Sequence, residues 1–365
     1  MDQPLRIGIV GLGAISGAYL STFERLDAVR VTAVADALPG RAEAVAADLG
    51  VRALTVDELV ADPEVDLVLN LTIPAAHAEI ARKAIAAGKA TYGEKPLAAT
   101  MADARAMVDA AHAAGVALGC APDTVLGTGV QTARQAIDDG LIGRPVAATA
   151  TMVTPGHERW HPNPDFYYQP GGGPLLDMGP YYVTALVNLL GPVESVVGDA
   201  SRTRETRVIG SGARAGETIE VDVATHVTGV LRHRSGALST LVMSFDAVAT
   251  RASNIEVHGE AGSLVVPDPN GFAGDVRLHA LDGEWVNLEP SAGYVDAARG
   301  YGIADLAAGG AGPAGRASGD VALHVLDVMT SLLRAADEHA PVTVASTCER
   351  PPVVPLSTAP GGLRG

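Results

Sequence analysis

The chain has 365 residues, 47% of them hydrophobic, which exceeds what one hydrophobic core organises and leads to the expectation of two domains. Its formal net charge of −16, with no Lys/Arg cluster interrupting the acidic balance, argues against a phosphate-tracking surface, so small molecules and not nucleic acids are the expected partners. No run approaches ~20 apolar residues, which argues against a membrane span, and Met1-Asp2-Gln3-Pro4 leads straight into a strand pattern without a cleavable leader, so a soluble cytoplasmic protein is expected. Cys120 and Cys348 are too few for a disulfide framework and lack metal-ligand spacing; two buried thiols are expected.

In chain order, Leu5 to Val10 reads as an apolar strand, Ile15 to Leu26 as a helix and Val29 to Ala35 as a second strand. Helices follow at Ala42 to Leu49 and Asp57 to Val60, then a buried strand at Val65 to Leu71 and a helix at Ala75 to Ala87 closed by Gly88. Ala90 to Tyr92 is a strand, Met101 to Ala114 a helix capped by Thr100 and Gly115, and 116–120 the last strand of the series. This alternation predicts a parallel sheet covered on both faces. Past Asp123 the pattern changes. A helix at Gly129 to Asp139 and a strand at Val146 to Val153 precede a segment rich in Pro, Gly, His and aromatics, Thr154 to Pro174, and a helix at Asp177 to Leu190. Alternating runs at Val221 to Leu231, Gly236 to Phe245, Asn254 to His258, Ser263 to Val266 and Val276 to Ala280 predict antiparallel strands, and His324 to Glu338 a closing helix. The expected fold is therefore α/β plus α+β: a Rossmann domain over 1–122, a domain with an open, mainly antiparallel sheet over 123–345, and a tail over 346–365.

The run Gly8-Ile-Val-Gly11-Leu-Gly13-Ala14-Ile15-Ser16-Gly17 lies between a strand and a helix. Gly11 permits the tight turn and Gly13 lets backbone N–H groups approach a pyrophosphate at the helix N-terminus, while Ser16 stands in for a third glycine. The second strand leads to Asp36, whose carboxylate suits the two hydroxyls of an adenosine ribose. A dinucleotide is therefore expected as cofactor. Asp36 would repel a 2′-phosphate and favours NAD, although Arg41 lies near enough in sequence to keep NADP open.

Thr91-Tyr92-Gly93-Glu94-Lys95-Pro96 ends a strand at the carboxyl edge of the sheet, where ligands of such folds bind. Glu94-Lys95-Pro96, Thr72-Ile73-Pro74-Ala75-Ala76-His77 after the fourth strand, and Gly171-Gly172-Gly173-Pro174-Leu175-Leu176-Asp177-Met178-Gly179-Pro180-Tyr181 together resemble the glucose-fructose oxidoreductase/inositol dehydrogenase/rhizopine-catabolism (Gfo/Idh/MocA) oxidoreductase family. The resemblance implies that Thr72, Ile73, Pro74, His77 and Glu94 lie along the cofactor and that Lys95, Asp177 and Tyr181 form the catalytic set. Tyr181 stands where a histidine is commonest in that family, a tyrosine being used in some of its branches. Asp177 and Tyr181 are four residues apart and share a helix face.

Oxidising a secondary alcohol needs a base for the hydroxyl proton while hydride leaves the carbon. Tyr181 is assigned as that base, Lys95 as the group that polarises the substrate oxygen and lowers the phenol's pKa, and Asp177 as substrate anchor; Lys95 as the base itself is the near rival. The stretch from Gly156 to Tyr168 gathers two of the ten histidines, one of two tryptophans and two of eight tyrosines. His157, Trp160, His161, Asn163 and Tyr168 are read as a loop that covers a sugar ring with aromatic faces and reaches its hydroxyls with polar groups. A capping loop packed on the sheet is the bland alternative, and His157, Glu158 and His161 lack a convincing fourth partner for a metal. Asp123 and Thr124 are secondary pocket candidates, with hinge residues as the alternative. Gly156 to Pro192 is similar to a sugar and glycoside dehydrogenase subgroup of the family.

The expected function is NAD-dependent oxidation of a ring hydroxyl of a sugar, cyclitol or glycoside. The alternatives are a ketosugar or dihydrodiol/imine-type reductase and, from another class, a non-catalytic NAD(H) sensor. An open sheet face leads to the expectation of a homodimer or homotetramer.

Overall fold

The computed structural model describes residues 3–309 and 315–359, so Met1 and Asp2, and residues 360–365 at the end of the expected tail, lie outside the described residues. The chain divides into two compact units, one of Met1–Gln131, Pro290–Leu323 and Pro351–Gly365, the other of Thr132–Glu289 and His324–Arg350. The sequence expectation of one change-over at residue 123 thus differs from the structure, in which two later segments return to the first unit. Nothing in the local pattern of those segments says which core they join.

In the first unit, β1 (Leu5–Val10), α1 (Ser16–Phe23), β2 (Val29–Ala35), α2 (Arg41–Leu49), β3 (Arg52–Ala53), α3 (Val56–Ala61), β4 (Leu67–Asn70), α4 (Pro74–Ala86), β5 (Ala90–Gly93), α5 (Met101–Ala114) and β6 (Leu118–Cys120) follow in order. The strands form one six-stranded sheet in the order β3-β2-β1-β4-β5-β6, and every pairing is parallel. β4 is buried at all four positions, as a strand covered on both faces must be. Val10, Ala33, Ala35, Val68, Ile80 and Ala84 pack into one core cluster with Leu59 and Val60; each larger aliphatic side chain buried there contributes roughly 1.5–3 kcal/mol. Helix ends follow local chemistry: Thr55 and Glu58 close a capping box on α3, Thr100 accepts from the Asp103 N–H, and Gly50 and Gly115 stop α2 and α5 in the left-handed region. The strand order reverses between β1 and β4, so the loops after those two strands flank a crevice at the carboxyl edge.

Beyond α6 (Thr128–Asp138), the second unit contains β7 (Pro145–Val153), α7 (Pro174–Leu190), β8 (Val193–Ser201), β9 (Thr206–Val208), β10 (Thr218–Glu220), β11 (His226–His233), β12 (Leu238–Ser244), β13 (Ile255–Gly259), β14 (Gly262–Val266), β15 (Val276–Ala280) and β16 (Trp285–Leu288). The short α8 (Tyr301–Ala307) lies in the first unit, and α9 (Gly319–Glu338) and β17 (Val342–Thr343) close the chain. Nine strands form a sheet in the order β16-β15-β14-β13-β7-β12-β11-β8-β17, antiparallel throughout except at β7 and β12. β9 and β10 pair separately as a two-stranded hairpin.

The strand expected over Val221 to Leu231 is broken. Residues 221–225 carry the chain from the hairpin to the large sheet, with the Asp222 N–H bound to the Tyr168 carbonyl and Thr225 Oγ1 to Asp246. β8, β9 and β16 carry no expectation from the sequence, and β16 shows why: almost its whole length is exposed, so it has no buried face to impose alternation. α7 starts at Pro174, where a missing N–H costs nothing, and is buried along nearly its full length despite Pro180 in its interior.

Candidate active site

The turn after β1 is built for close backbone approach. Gly11 has φ +94° and donates its N–H to the Ala35 carbonyl at 2.9 Å; a Cβ there would lie 2.8 Å from the backbone of Leu71 and Thr72. A Cβ on Gly13 would meet nothing within 4 Å, and Gly13 and Ala14 are exposed. Ile15 offers α1 no side-chain cap; the Ser16 and Ala18 N–H groups turn back onto the Gly13 and Ile15 carbonyls at 3.1 Å, and an anion at this end meets the positive end of the helix dipole. Ser16 tucks its hydroxyl onto the Gly13 carbonyl at 2.7 Å, filling the third glycine's place. Asp36 accepts the Leu12 N–H on Oδ2 and the Leu38 N–H on Oδ1, both at 2.8 Å. Each oxygen keeps a lone pair for a ribose hydroxyl. Arg41 Nη1 stands 3.6 Å from Asp36 Oδ2, so the cation that could have met a 2′-phosphate is directed at the carboxylate. Glycine cradle, uncapped helix and fixed acid fit a dinucleotide.

The loop after β4 is held by Asn70, whose Oδ1 accepts the Thr72 hydroxyl at 2.6 Å, and Ile73 is exposed just before Pro74 opens α4. His77 is expected beside the cofactor. Its ring is buried and its two nitrogens lie against the Pro96 and Thr72 carbonyls at 2.8 and 3.1 Å, so it clasps the two loops to each other. Glu94 is likewise engaged from below: Tyr19 donates its hydroxyl to Oε1 at 2.8 Å and the Lys95 N–H meets Oε2 at 3.1 Å. Burial together with this carboxylate pushes the Tyr19 phenol well above its ordinary pKa. Glu94 therefore fixes the backbone that carries Lys95, which is half-buried ahead of Pro96.

Asp123, expected as a pocket residue, is fully buried and accepts the Gly300 and Gly302 N–H groups at 2.8 and 3.0 Å. It anchors the start of α8, a partner 177 residues away in sequence, and burial raises its pKa. Thr124 beside it is buried as well.

In the second unit α7 carries Asp177 in its first turn, where a negative charge is stabilised by the helix dipole, and Tyr181 one turn later. His157 Nδ1 lies 3.5 Å from Asp177 Oδ2, so two residues singled out separately by sequence are brought together. The His157 ring is packed by Trp160, Tyr167 and Phe245, with centroids 5.2, 4.7 and 4.4 Å away. Trp160 and Phe166 are more than half exposed, forming the outward aromatic face, and Asn163 is exposed with its N–H on His161 Nδ1.

Tyr168 is expected as a substrate contact. It is fully buried; its hydroxyl donates to Glu158 and accepts the His157 N–H. Glu158 in turn meets Arg207, which reaches across from the hairpin and also pairs with Asp246, itself bound by Thr225. Arg207, Phe245 and Asp246 carry no motif, and only the folded hairpin reveals them as the loop's support.

Comparison with known proteins follows this division. A model described as an oxidoreductase family with an NAD-binding Rossmann fold matches residues 5–121, and the GFO/IDH/MocA C-terminal domain matches residues 130–265. The chain is 32% identical over 269 residues to 1,5-anhydro-D-fructose reductase of Ensifer adhaerens, covering 71% of this chain and 75% of that one. It is 29% identical over 276 residues to myo-inositol 2-dehydrogenase of Thermotoga maritima, covering 75% and 76%. A solved NAD-binding oxidoreductase from Klebsiella pneumoniae shares the fold with a TM-score of 0.81 at 26% identity, over 94% of this chain and all of that one. Levoglucosan dehydrogenase, solved with NADH, is similar in fold with a TM-score of 0.78 at 22% identity, over the same shares. With both of its domains matched and the cofactor cradle in place, the chain belongs to the Gfo/Idh/MocA family of NAD-binding oxidoreductases.

Proposed function

We propose that the protein oxidises a ring secondary hydroxyl of a neutral sugar, cyclitol or glycoside, with NAD as hydride acceptor. The observation that carries this reading is the pairing of His157 with Asp177 one turn before Tyr181, beside an exposed aromatic surface. Hydrogen-bonding groups beside aromatic faces suit a molecule with hydroxyls on its rim and C–H bonds on its face. The relatives' names support the class: an inositol dehydrogenase and an anhydrofructose reductase both act on ring polyols or their ketones.

Bound at the Gly11 cradle, NAD supplies a hydride acceptor and no acid or base. The proton is left to the protein. Tyr181 accepts it from the substrate hydroxyl, and the cation of Lys95 polarises that oxygen and favours the phenolate. Asp177, steadied by His157, accepts a hydrogen bond from a neighbouring hydroxyl and so selects which carbon presents its C–H. Because the same groups return a proton in reverse, they also serve ketone reduction, and metabolite ratios set the direction.

The test is a screen of NADH formation with hexoses, inositols, anhydrosugars and glycosides, followed by single-turnover kinetics of Tyr181→Phe on the best substrate. The expected loss in the hydride step is ~10²-fold or more. A near-normal rate in the variant moves the base to Lys95, and absence of turnover with every polyol despite NAD binding overturns the reading.

A further inference from the structure

Beside the aromatic loop the second unit carries an open pocket of about 400 Å³, lined by Glu158 and Arg159 from the loop and by Arg204, Thr206 and Arg207 from the hairpin. For a chain of net charge −16, three arginines around one small pocket are a marked local concentration, of which Arg207 is offset by Glu158 and Asp246 and the other two are not. The single carboxylate of the lining is already spent: Glu158 meets Arg207 Nη1 at 2.9 Å with one oxygen and the Tyr168 hydroxyl with the other.

Arg207 has a side chain only 1% exposed, and its Nη atoms reach Glu158, Asp246 and the Pro155 carbonyl. Its Nε–H is buried and meets no acceptor among the described residues. A buried charged donor without an acceptor is costly unless a ligand supplies one. Arg159 and Arg204 stand exposed at the cavity, and neither forms an ion pair or side-chain hydrogen bond among the described residues. Arg214, further along the same hairpin connection, shows the contrast, being held by both Asp165 and Glu217.

We propose that this cavity binds the carboxylate or phosphate group of a small molecule. Arg159 and Arg204 supply charge-assisted hydrogen bonds, Thr206 a hydroxyl donor, and Arg207 its unpartnered Nε–H. The volume exceeds that of a bare oxyanion and accommodates one carried on a sugar-sized body. Because Glu158 and Arg159 directly follow His157, an occupant bears on the short turn that holds His157 against Asp177.

The inference does not rest on the proposed reaction, so its test is read without turnover. Isothermal titration of the full chain uses inorganic phosphate, glucuronate and glucose 6-phosphate, with glucose as the neutral control. Binding of at least one oxyanion with a Kd below ~10 mM, weakened ~tenfold or more in Arg159→Gln/Arg204→Gln, is the expected result. The melting temperature and NAD titration of that variant should match the parent, since both arginines are exposed and unpaired. Binding of phosphate itself identifies a free anion as occupant; binding of the sugar acid or sugar phosphate alone identifies a substituent on a sugar. No oxyanion bound below that limit, or binding undiminished in the double variant, overturns the proposal.

Discussion

Asp36 accepts a backbone N–H on each oxygen and faces Arg41 across 3.6 Å, so two residues that the sequence left in competition are partners. Charge near the 2′ position of the adenosine ribose is what separates NAD from NADP. Removing the carboxylate would release Arg41, which is 41% exposed, to meet a phosphate. In Asp36→Ser the ratio of kcat/KM for NADP over NAD is therefore expected to rise by ~tenfold or more, measured on the substrate that the polyol screen selects. An unchanged ratio would place the discrimination elsewhere. Asp123 and Tyr168 teach the converse at this scale. Both are polar side chains beside motifs, yet Asp123 Oδ2 holds the start of α8 and the Tyr168 hydroxyl holds Glu158. Sequence shows the chemistry a side chain can do, and its partner decides whether it is free to do it.

At the scale of elements, most strands and helices of the first unit were legible because each buries a regular face, while the two-residue β3 and the short α8 carried no expectation. Leu5–Val10, Val29–Ala35 and Met101–Ala114 agree with the pattern to the residue, since caps and glycines mark their ends. The β9–β10 hairpin was not legible, being short and exposed at alternate positions, yet it delivers Arg207 to the aromatic loop. Arg207 joins the buried Glu158 and the largely covered Asp246, and its loss would leave both uncompensated. Arg207→Met is expected to destabilise the protein by roughly 3 kcal/mol or more, read as a lower urea midpoint. Midpoints within ~0.5 kcal/mol of the parent would mean that the hairpin is not what holds the loop.

For the whole molecule, buried histidines that join elements far apart in the chain contribute to acid sensitivity. His324 on α9 accepts the Val193 N–H on Nε2 at 2.9 Å, so Nδ1 carries the proton and donates to Ser346 at 3.0 Å. Burial lowers its pKa from 6.5 to about 4, and burial likewise lowers that of His233, which bridges Gly191 and Ser239. The folded state thus takes up the His324 proton later than the unfolded chain does. Stability from this residue is complete above about pH 6.5 and declines as pH falls toward 4, by at most about 3 kcal/mol. Calorimetric melting at pH 7 and pH 4.5 should show that fall. In His324→Gln the stability at pH 7 should be lower and the fall over this window shallower; an equal slope in the two proteins would exclude His324 as its source.

The amino-acid sequence by itself determined the parallel sheet, the cofactor cradle and the family. These depend on local requirements: a glycine where φ is +94°, an apolar run where a strand is covered on both faces, an acid near the end of the second strand. The tertiary structure alone decided which polar groups are spent and which remain available. His157 meets Asp177 across 20 residues, Arg207 meets Glu158 across 49, and Asp123 meets Gly300 across 177. Contacts between residues so far apart leave no periodicity or motif behind. They depend on where the chain closes, which is a property of the packed fold.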